Sequence, residues 1–366
     1  MKLHRYFAWR YLKTFMAVFA LFSVMAVLIG MIDKFRDMRG TSAGFFDVVE
    51  LTILDAPTAI YRILPLIGLL SSVALFMNFA RTSEFVITRA AGRSALVSLA
   101  APVVMALVLG MIAVAIMNPL VAATQKQYEV MVQRFETGEV SVVSLTSEGL
   151  WMRQGSPEGQ TVIRATGANE TGTELHGVTF LTFGPDGRPK TRIDAQSAVL
   201  EAGNWRAANA KIWDLGGQNS NPESNAQTAV EASLPSNLTP ARIRESFATP
   251  SKIPIWDLPH FITRLESAGF SARVHQVWLQ SELSLPLLLV AMVMIGAAFT
   301  MRHTRLGGTG LMVLMAIGMG FGTYFIRNFA QILGENGQLP VALSAWGAPT
   351  AAILLAFSLI LHFEDG

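Results

Sequence analysis

Apolar residues run without a charge over residues 14–32, 63–80, 94–125, 283–301, 306–326 and 338–363, and a polar segment over about residues 126–281 splits these runs three and three. Each run reaches the roughly 18–20 apolar residues with which a helix crosses about 30 Å of hydrocarbon. Lipid offers no partner to backbone N–H and C=O groups, so runs of this length must be helical there. The first run is longer than a signal-peptide core, and no small-x-small cleavage site follows it. Buried core helices of soluble proteins rarely sustain such lengths. The pattern therefore predicts an α-helical polytopic membrane protein with six transmembrane helices.

Within the polar segment the periodicity changes. Residues 122–136 read as a helical continuation of the third run. From Glu139 the chain shifts to short β-rich or alternating stretches at 140–145, 149–153, 160–165, 178–183, 192–200 and 205–215. Turn signals separate them, including Gly155-Ser156-Pro157, Pro185-Asp186-Gly187 and Gly203-Asn204. Many short strands with such turns predict an inserted all-β, jelly-roll-like domain. Residues 216–236, rich in Asn, Ser and Gly, read as a loose loop. Residues 254–268 read as a helix, with Pro254 and Pro259 at its start, leading back to the membrane. The expected division is 1–136 (first transmembrane half), 137–250 (β domain) and 251–366 (connecting helix and second transmembrane half).

Composition supports a membrane protein: 51% of residues are hydrophobic, 15% are charged, and mean hydropathy is +0.41. Soluble domains carry about 25% charged residues. Charge also sets an orientation, because short loops rich in Lys and Arg stay in the cytoplasm. Lys2, Arg5, Arg10 and Lys13, then Arg81, Arg89 and Arg93, then Arg302 and Arg305 fall on one side if every run spans once. Both termini are then cytoplasmic and the β domain is exported. The chain has no cysteine, so an exported domain folds on packing alone, which suits a bacterial periplasm.

Several chemistries lack their residues. No Gly-Lys dipeptide occurs, so there is no Walker A loop. The six histidines are scattered without metal-ligand spacing, and no G-x-S-x-G elbow is present. Gly318, Gly320 and Gly322 sit in an apolar run, where small residues let helices approach closely. The interiors of the runs hold no Asp or Glu, which argues against a proton relay. The net charge of +2 comes from residues flanking the runs, and no basic stretch suggests nucleic acid.

Two places remain as candidates. The first is the short cytoplasmic loop that follows the second run. Thr82 or Ser83 can cap a helix, Glu84 lies in its first turn, and Gly92 can end it. With apolar Phe85 and polar Arg89, this helix suits docking onto a cytoplasmic partner. The second is a set of cations at the outer face: Lys34, Arg36 and Arg39 after the first run, Arg62 at the start of the second, Arg134 beyond the third and Arg327 at the end of the fifth. Snorkelling to headgroups accounts for any one of them. Lys34, Arg36 and Arg39 together break the charge rule, so some other energy must compensate them. Arg and Lys there can pair with phosphates.

At these places the chain resembles the LptF/LptG permeases of lipopolysaccharide export, over essentially its whole length. The matching stretches are Leu3-His4-Arg5-Tyr6, Ile32-Asp33-Lys34-Phe35-Arg36-Asp37, Ala56-Pro57 with Ile60-Tyr61-Arg62-Ile63-Leu64-Pro65, Ser83-Glu84 with Arg89-Ala90-Ala91-Gly92-Arg93-Ser94, and Gly337-Gln338-Leu339-Pro340 with Ala345-Trp346. The first two of the internal stretches look more like LptG than LptF. The resemblance implies a non-catalytic permease in the bacterial inner membrane, paired with an LptF-like paralogue. An LptB-like ATPase dimer, with its ATP and Mg, would drive it, so no cofactor is expected on this chain. An LptC-like single-span protein would receive lipopolysaccharide from the β domain. The resemblance also implies that Glu84 and its neighbours couple to the ATPase and that Lys34 meets the anionic headgroup; Arg36, Arg39, Arg62, Arg134 and Arg327 extend that role by position. Two other readings use the same layout: a mechanotransmitting permease that binds no lipid, and a membrane scaffold.

Overall fold

The computed structural model describes residues 2–38, 43–82, 84, 94–136, 143–146, 149–156, 159–169, 172–201, 203–216, 222–236, 238, 249–267, 269–301 and 309–365. In chain order the helices are α1 (Lys2–Asp37), α2 (Phe45–Arg81), α3 (Ala95–Ile112), α4 (Asn118–Glu136), α5 (Leu258–Ser267), α6 (Arg273–Leu283), α7 (Leu285–Thr300), α8 (Thr309–Glu335) and α9 (Val341–Asp365). Between α4 and α5 come β1 (Val143–Thr146), β2 (Gly149–Ser156), β3 (Gly159–Ala168), β4 (Glu174–Phe183), β5 (Pro189–Glu201), β6 (Asn204–Asp214) and β7 (Gln227–Pro235). The chain divides into two units. One comprises Met1–Glu136, Ser251–Trp256 and Arg273–Gly366, and the other Thr137–Pro250 and Asp257–Ala272.

Among the described residues of the helical unit, five helices are long and apolar enough to cross a membrane, and the bent pair α6–α7, taken as one span, makes a sixth. The chain is thus a polytopic helical membrane protein with a β domain inserted between its spans. Helix α7 is the hub. Its Leu288, Ala291, Met292, Val293 and Ile295 have no exposed surface, and α2, α3, α8 and α9 all pack on it. A helix that is apolar all round belongs at such a centre. Close approach depends on small residues. A Cβ added at Gly296 would stand 2.6 Å from Ser72 Oγ, and one at Gly320 would stand 2.2 Å from a methyl of Leu69. Around Gly318 and Gly322 nothing lies within 4 Å, so of the three expected packing glycines Gly320 alone meets a neighbour among the described residues.

Several helices extend beyond their uncharged runs. Helix α2 begins at Phe45 rather than near residue 63 and carries Asp47, Glu50 and Asp55 in its first half. The fourth run starts inside a longer element: α6 precedes it, and the axis turns by 46° at Ser284. Pro286 near the start of α7 removes a backbone donor, a common cause of such a bend. Ser284 Oγ donates to the Ser281 carbonyl at 2.9 Å and occupies one acceptor at the break. As a result Glu282, which flanks the run in sequence, sits 4% exposed inside the bundle. The reading of acid-free span interiors is corrected at this residue.

Among its described residues the second unit has one seven-stranded antiparallel sheet in sequential order, β1 to β7. Alternate residues Leu150 and Met152, Ile163 and Ala165, Val178 and Phe180, and Trp205 and Ala207 form its buried face. Helix α5 lies against β1, with Leu258, Ile262 and Leu265 buried. Just beyond it Gly269 takes φ +88° and passes so close to the Ala168 carbonyl oxygen that a Cβ would stand 2.2 Å from it. The expected loose loop at 216–236 is corrected: residues 227–235 are strand β7, paired antiparallel with β6 from Trp205↔Leu234 to Ile212↔Gln227. Most of its side chains are exposed on a sheet edge, so it lacks the apolar alternation by which the other strands are legible. The turn before it is tied down by Glu223, which accepts from Lys211 and, at 2.7 Å, from Trp213 Nε1. The Lys211 ammonium, then the indole, hold the Glu223 carboxyl below its ordinary value.

Candidate functional site

Among the described residues of the helical unit, three polar clusters bear on the candidate sites. The first is the last turn of α1. Lys34 Nζ pairs with Asp55 Oδ2 of α2 at 3.2 Å and donates to Tyr128 Oη of α4. The ammonium also lies 4.5 Å from the centre of the Tyr128 ring, a cation–π geometry. The lysine side chain is 14% exposed. Met38, Val48 and Leu51 are buried beside it, with Tyr128 packed against them, so one lysine joins three helices. Arg36 points elsewhere: it reaches Asp33 at 3.6 Å, and both are exposed. Arg39 lies outside the described residues, as does the side chain of Arg134, whose backbone belongs to α4.

The second place is a cavity of about 380 Å³ whose walls include Tyr61, Arg62, Asn118, Glu282, Tyr324 and Arg327. Glu282 accepts from Tyr61 Oη and, at 3.1 Å, from Asn118 Nδ2. Asn118 Oδ1 accepts from the Ile255 amide at 3.0 Å. Arg327 Nη2 donates to the Ser281 carbonyl at 3.4 Å, and Tyr324 Oη to the Arg62 carbonyl at 3.1 Å. A buried acid is costly unless hydrogen-bonded, and this one accepts from two donors. A π-helical turn, Ala113–Met117, immediately precedes Asn118. Such a turn shifts the helical register and often marks functional positions; here it sets the direction of Asn118.

The two places adjoin. Thr58 donates to Gln125 at 2.9 Å across α2 and α4, and both line the cavity. Asp55 lies about one turn before Thr58, and Tyr128 about one turn after Gln125. The Lys34 pair thus sits about one helical turn from residues that line the cavity and is not itself part of the lining.

The third place is Glu84, the start of the expected coupling helix. Its Oε1 accepts from Thr82 Oγ1 at 3.2 Å and Tyr6 Oη at 3.4 Å, and pairs with Arg10 at 3.5 Å. Arg10 Nε donates to Tyr6 Oη at 3.0 Å. Ser83, Phe85, Arg89 and Gly92 lie outside the described residues. Ser94, after them, caps α3 by accepting from the Val97 amide at 3.3 Å.

The family model for the lipopolysaccharide export system permease LptF/LptG matches residues 5–362. The chain belongs to the LptF/LptG family. No curated protein matches it. The match covers both subtypes without separating LptF from LptG. As an LptF/LptG permease, the chain is a lipopolysaccharide export permease and a membrane component of an ABC transporter. Such a component works within an export system with a partner permease and an ATPase.

Of the cations singled out in the sequence, Arg62 and Arg327 line one cavity, Lys34 pairs with Asp55 about one turn from that lining, and Arg36 pairs with Asp33 at the exposed surface. Sequence reasoning missed Asp55, Tyr128, Asn118 and Glu282. Asn118 was hidden inside an uncharged run, and Glu282 was counted as a flank. Asp55 lies in the first half of α2 and Tyr128 in the middle of α4, both outside the uncharged runs, and nothing in their spacing marks them.

Proposed function

We propose that this LptF/LptG permease is the LptG-like half of an ATP-driven extractor, which takes lipopolysaccharide from the outer leaflet of the inner membrane. Both termini are cytoplasmic in this reading and the β domain is periplasmic, with functional segments 1–136, 137–250 and 251–366. Lys34 holds the anionic headgroup, and Arg62 and Arg327 in the adjoining cavity support it, with Arg36, Arg39 and Arg134 nearby in sequence or on the same helices. The segment from Ser83 to Gly92, with Glu84, Phe85 and Arg89, docks on an LptB-like ATPase dimer, where ATP and Mg are consumed. An LptF-like paralogue completes the lipid chamber. The β domain passes lipid to an LptC-like protein and a β bridge, through apolar interior and free strand edges.

The observation that carries this reading is the paired Lys34 beside a cavity lined by two arginines, in a family of lipopolysaccharide export permeases. The energetics require a driven step. Removing one acyl chain of about a dozen methylenes from a bilayer costs on the order of 10 kcal/mol.

Photo-crosslinking from α1 in the assembled complex tests the lipid role. Lys34→Gln should lower lipopolysaccharide labelling about tenfold at unchanged protein level; full labelling defeats the assignment. For the coupling role, Glu84→Ala should leave the chain inserted but uncouple ATP hydrolysis from lipid release. A variant that hydrolyses ATP and releases lipid at the normal ratio removes Glu84 from that role.

A further inference from the structure

We propose that Asp55 is a specificity-determining residue, an internal counter-ion that a headgroup must displace from Lys34 before it can be held. This rests on the reading that Lys34 meets the lipid headgroup, and names what decides which headgroup succeeds.

The geometry is a closed pair. Asp55 Oδ2 stands 3.2 Å from Lys34 Nζ, with the lysine 14% and the aspartate 32% exposed. Tyr128 fills a further direction around the ammonium with its hydroxyl and its ring. An ammonium has three donors, and two of them are engaged. Lys34 is thus screened by its own chain until something competes for it.

Asp55 competes from an adjacent helix, so its local concentration at Lys34 is on the order of millimolar or more. A zwitterionic phospholipid brings one phosphodiester charge and carries its own ammonium, so exchanging it for Asp55 gains little. A headgroup with two or more anionic groups differs. One group can take Lys34 while another meets the cations in the adjoining cavity, Arg62 and Arg327. A phosphate monoester also carries about −1.5 to −2 charges at neutral pH, against −1 for a carboxylate. The partial exposure of Asp55 gives the displaced carboxylate access to water, which lowers the cost of releasing it. The pair therefore discriminates by charge number: polyanionic lipid opens it, and bulk phospholipid leaves it closed.

The test uses the assembled complex in nanodiscs of phosphatidylethanolamine doped with lipopolysaccharide, with photo-crosslinking from α1 and counting of both lipids. In wild type, lipopolysaccharide should dominate the labelled lipid. Asp55→Asn should keep lipopolysaccharide labelling within about twofold and raise phosphatidylethanolamine labelling at least fivefold; Asp55→Glu should restore the wild-type ratio. An unchanged ratio in Asp55→Asn, or a loss of lipopolysaccharide labelling matching that of Lys34→Gln, overturns the proposal. Should Lys34→Gln itself retain full labelling, the headgroup reading falls and the proposal with it. Should Lys34→Gln lose labelling while Asp55→Asn keeps the wild-type ratio, the specificity role alone falls.

Discussion

Glu282→Ala is expected to destabilise the helical unit by about 1–3 kcal/mol for each donor left without its acceptor. The carboxylate is the common acceptor for Tyr61 Oη and Asn118 Nδ2, and it shares a cavity with Arg327. Alanine would leave Tyr61 Oη and the buried Asn118 Nδ2 without this acceptor. It would also open space at the 46° bend, where α6 and α7 meet and packing must hold the break closed. Glu282→Gln keeps one acceptor in place and should cost clearly less. Thermal unfolding of the purified complex in detergent reads both: the alanine variant should melt several degrees below wild type, with glutamine between. An alanine variant that melts with wild type would show that this network contributes nothing to the bend.

Substitution at Gly110 should be nearly as damaging, for a steric reason. A Cβ there would stand 2.5 Å from Pro286 Cα, 2.9 Å from Pro286 Cβ and 3.2 Å from a Leu289 methyl. The nearest obstacle is backbone of the central helix, which cannot rotate away as a side chain can. Gly110→Ala should therefore cost about 1–3 kcal/mol, and Gly110→Val more, as overpacking at a rigid contact does. Gly318→Ala is the matched control. Nothing lies within 4 Å of its added methyl, and alanine favours helix by up to about 1 kcal/mol over glycine. The check is the melting temperature and membrane yield of the three variants. Gly110→Ala behaving like Gly318→Ala would refute the close approach of α3 to α7.

Sequence alone was enough for the membrane architecture. Uncharged runs of span length leave the backbone no alternative to helix in lipid, and the change to alternation after residue 139 marked the β insert. It could not find β7, because an exposed edge strand owes its place to ladder hydrogen bonds with β6 rather than to burial of its own side chains. It likewise placed Lys34 and Glu84 at candidate sites but not their partners. Lys34 and Asp55 meet across two helices, and Tyr6 and Arg10 reach Glu84 from the far start of the chain.

What the chain's own pattern determined is the number and order of its spans, since hydropathy is a local property that a bilayer reads residue by residue. What only the tertiary structure decided is the state of its charges: Lys34 held by Asp55, and Glu282 drawn inside at a bend. Pairing across helices depends on which helix faces turn toward one another, and that is fixed by the packing around α7, where Gly110, Gly296 and Gly320 let neighbours come close.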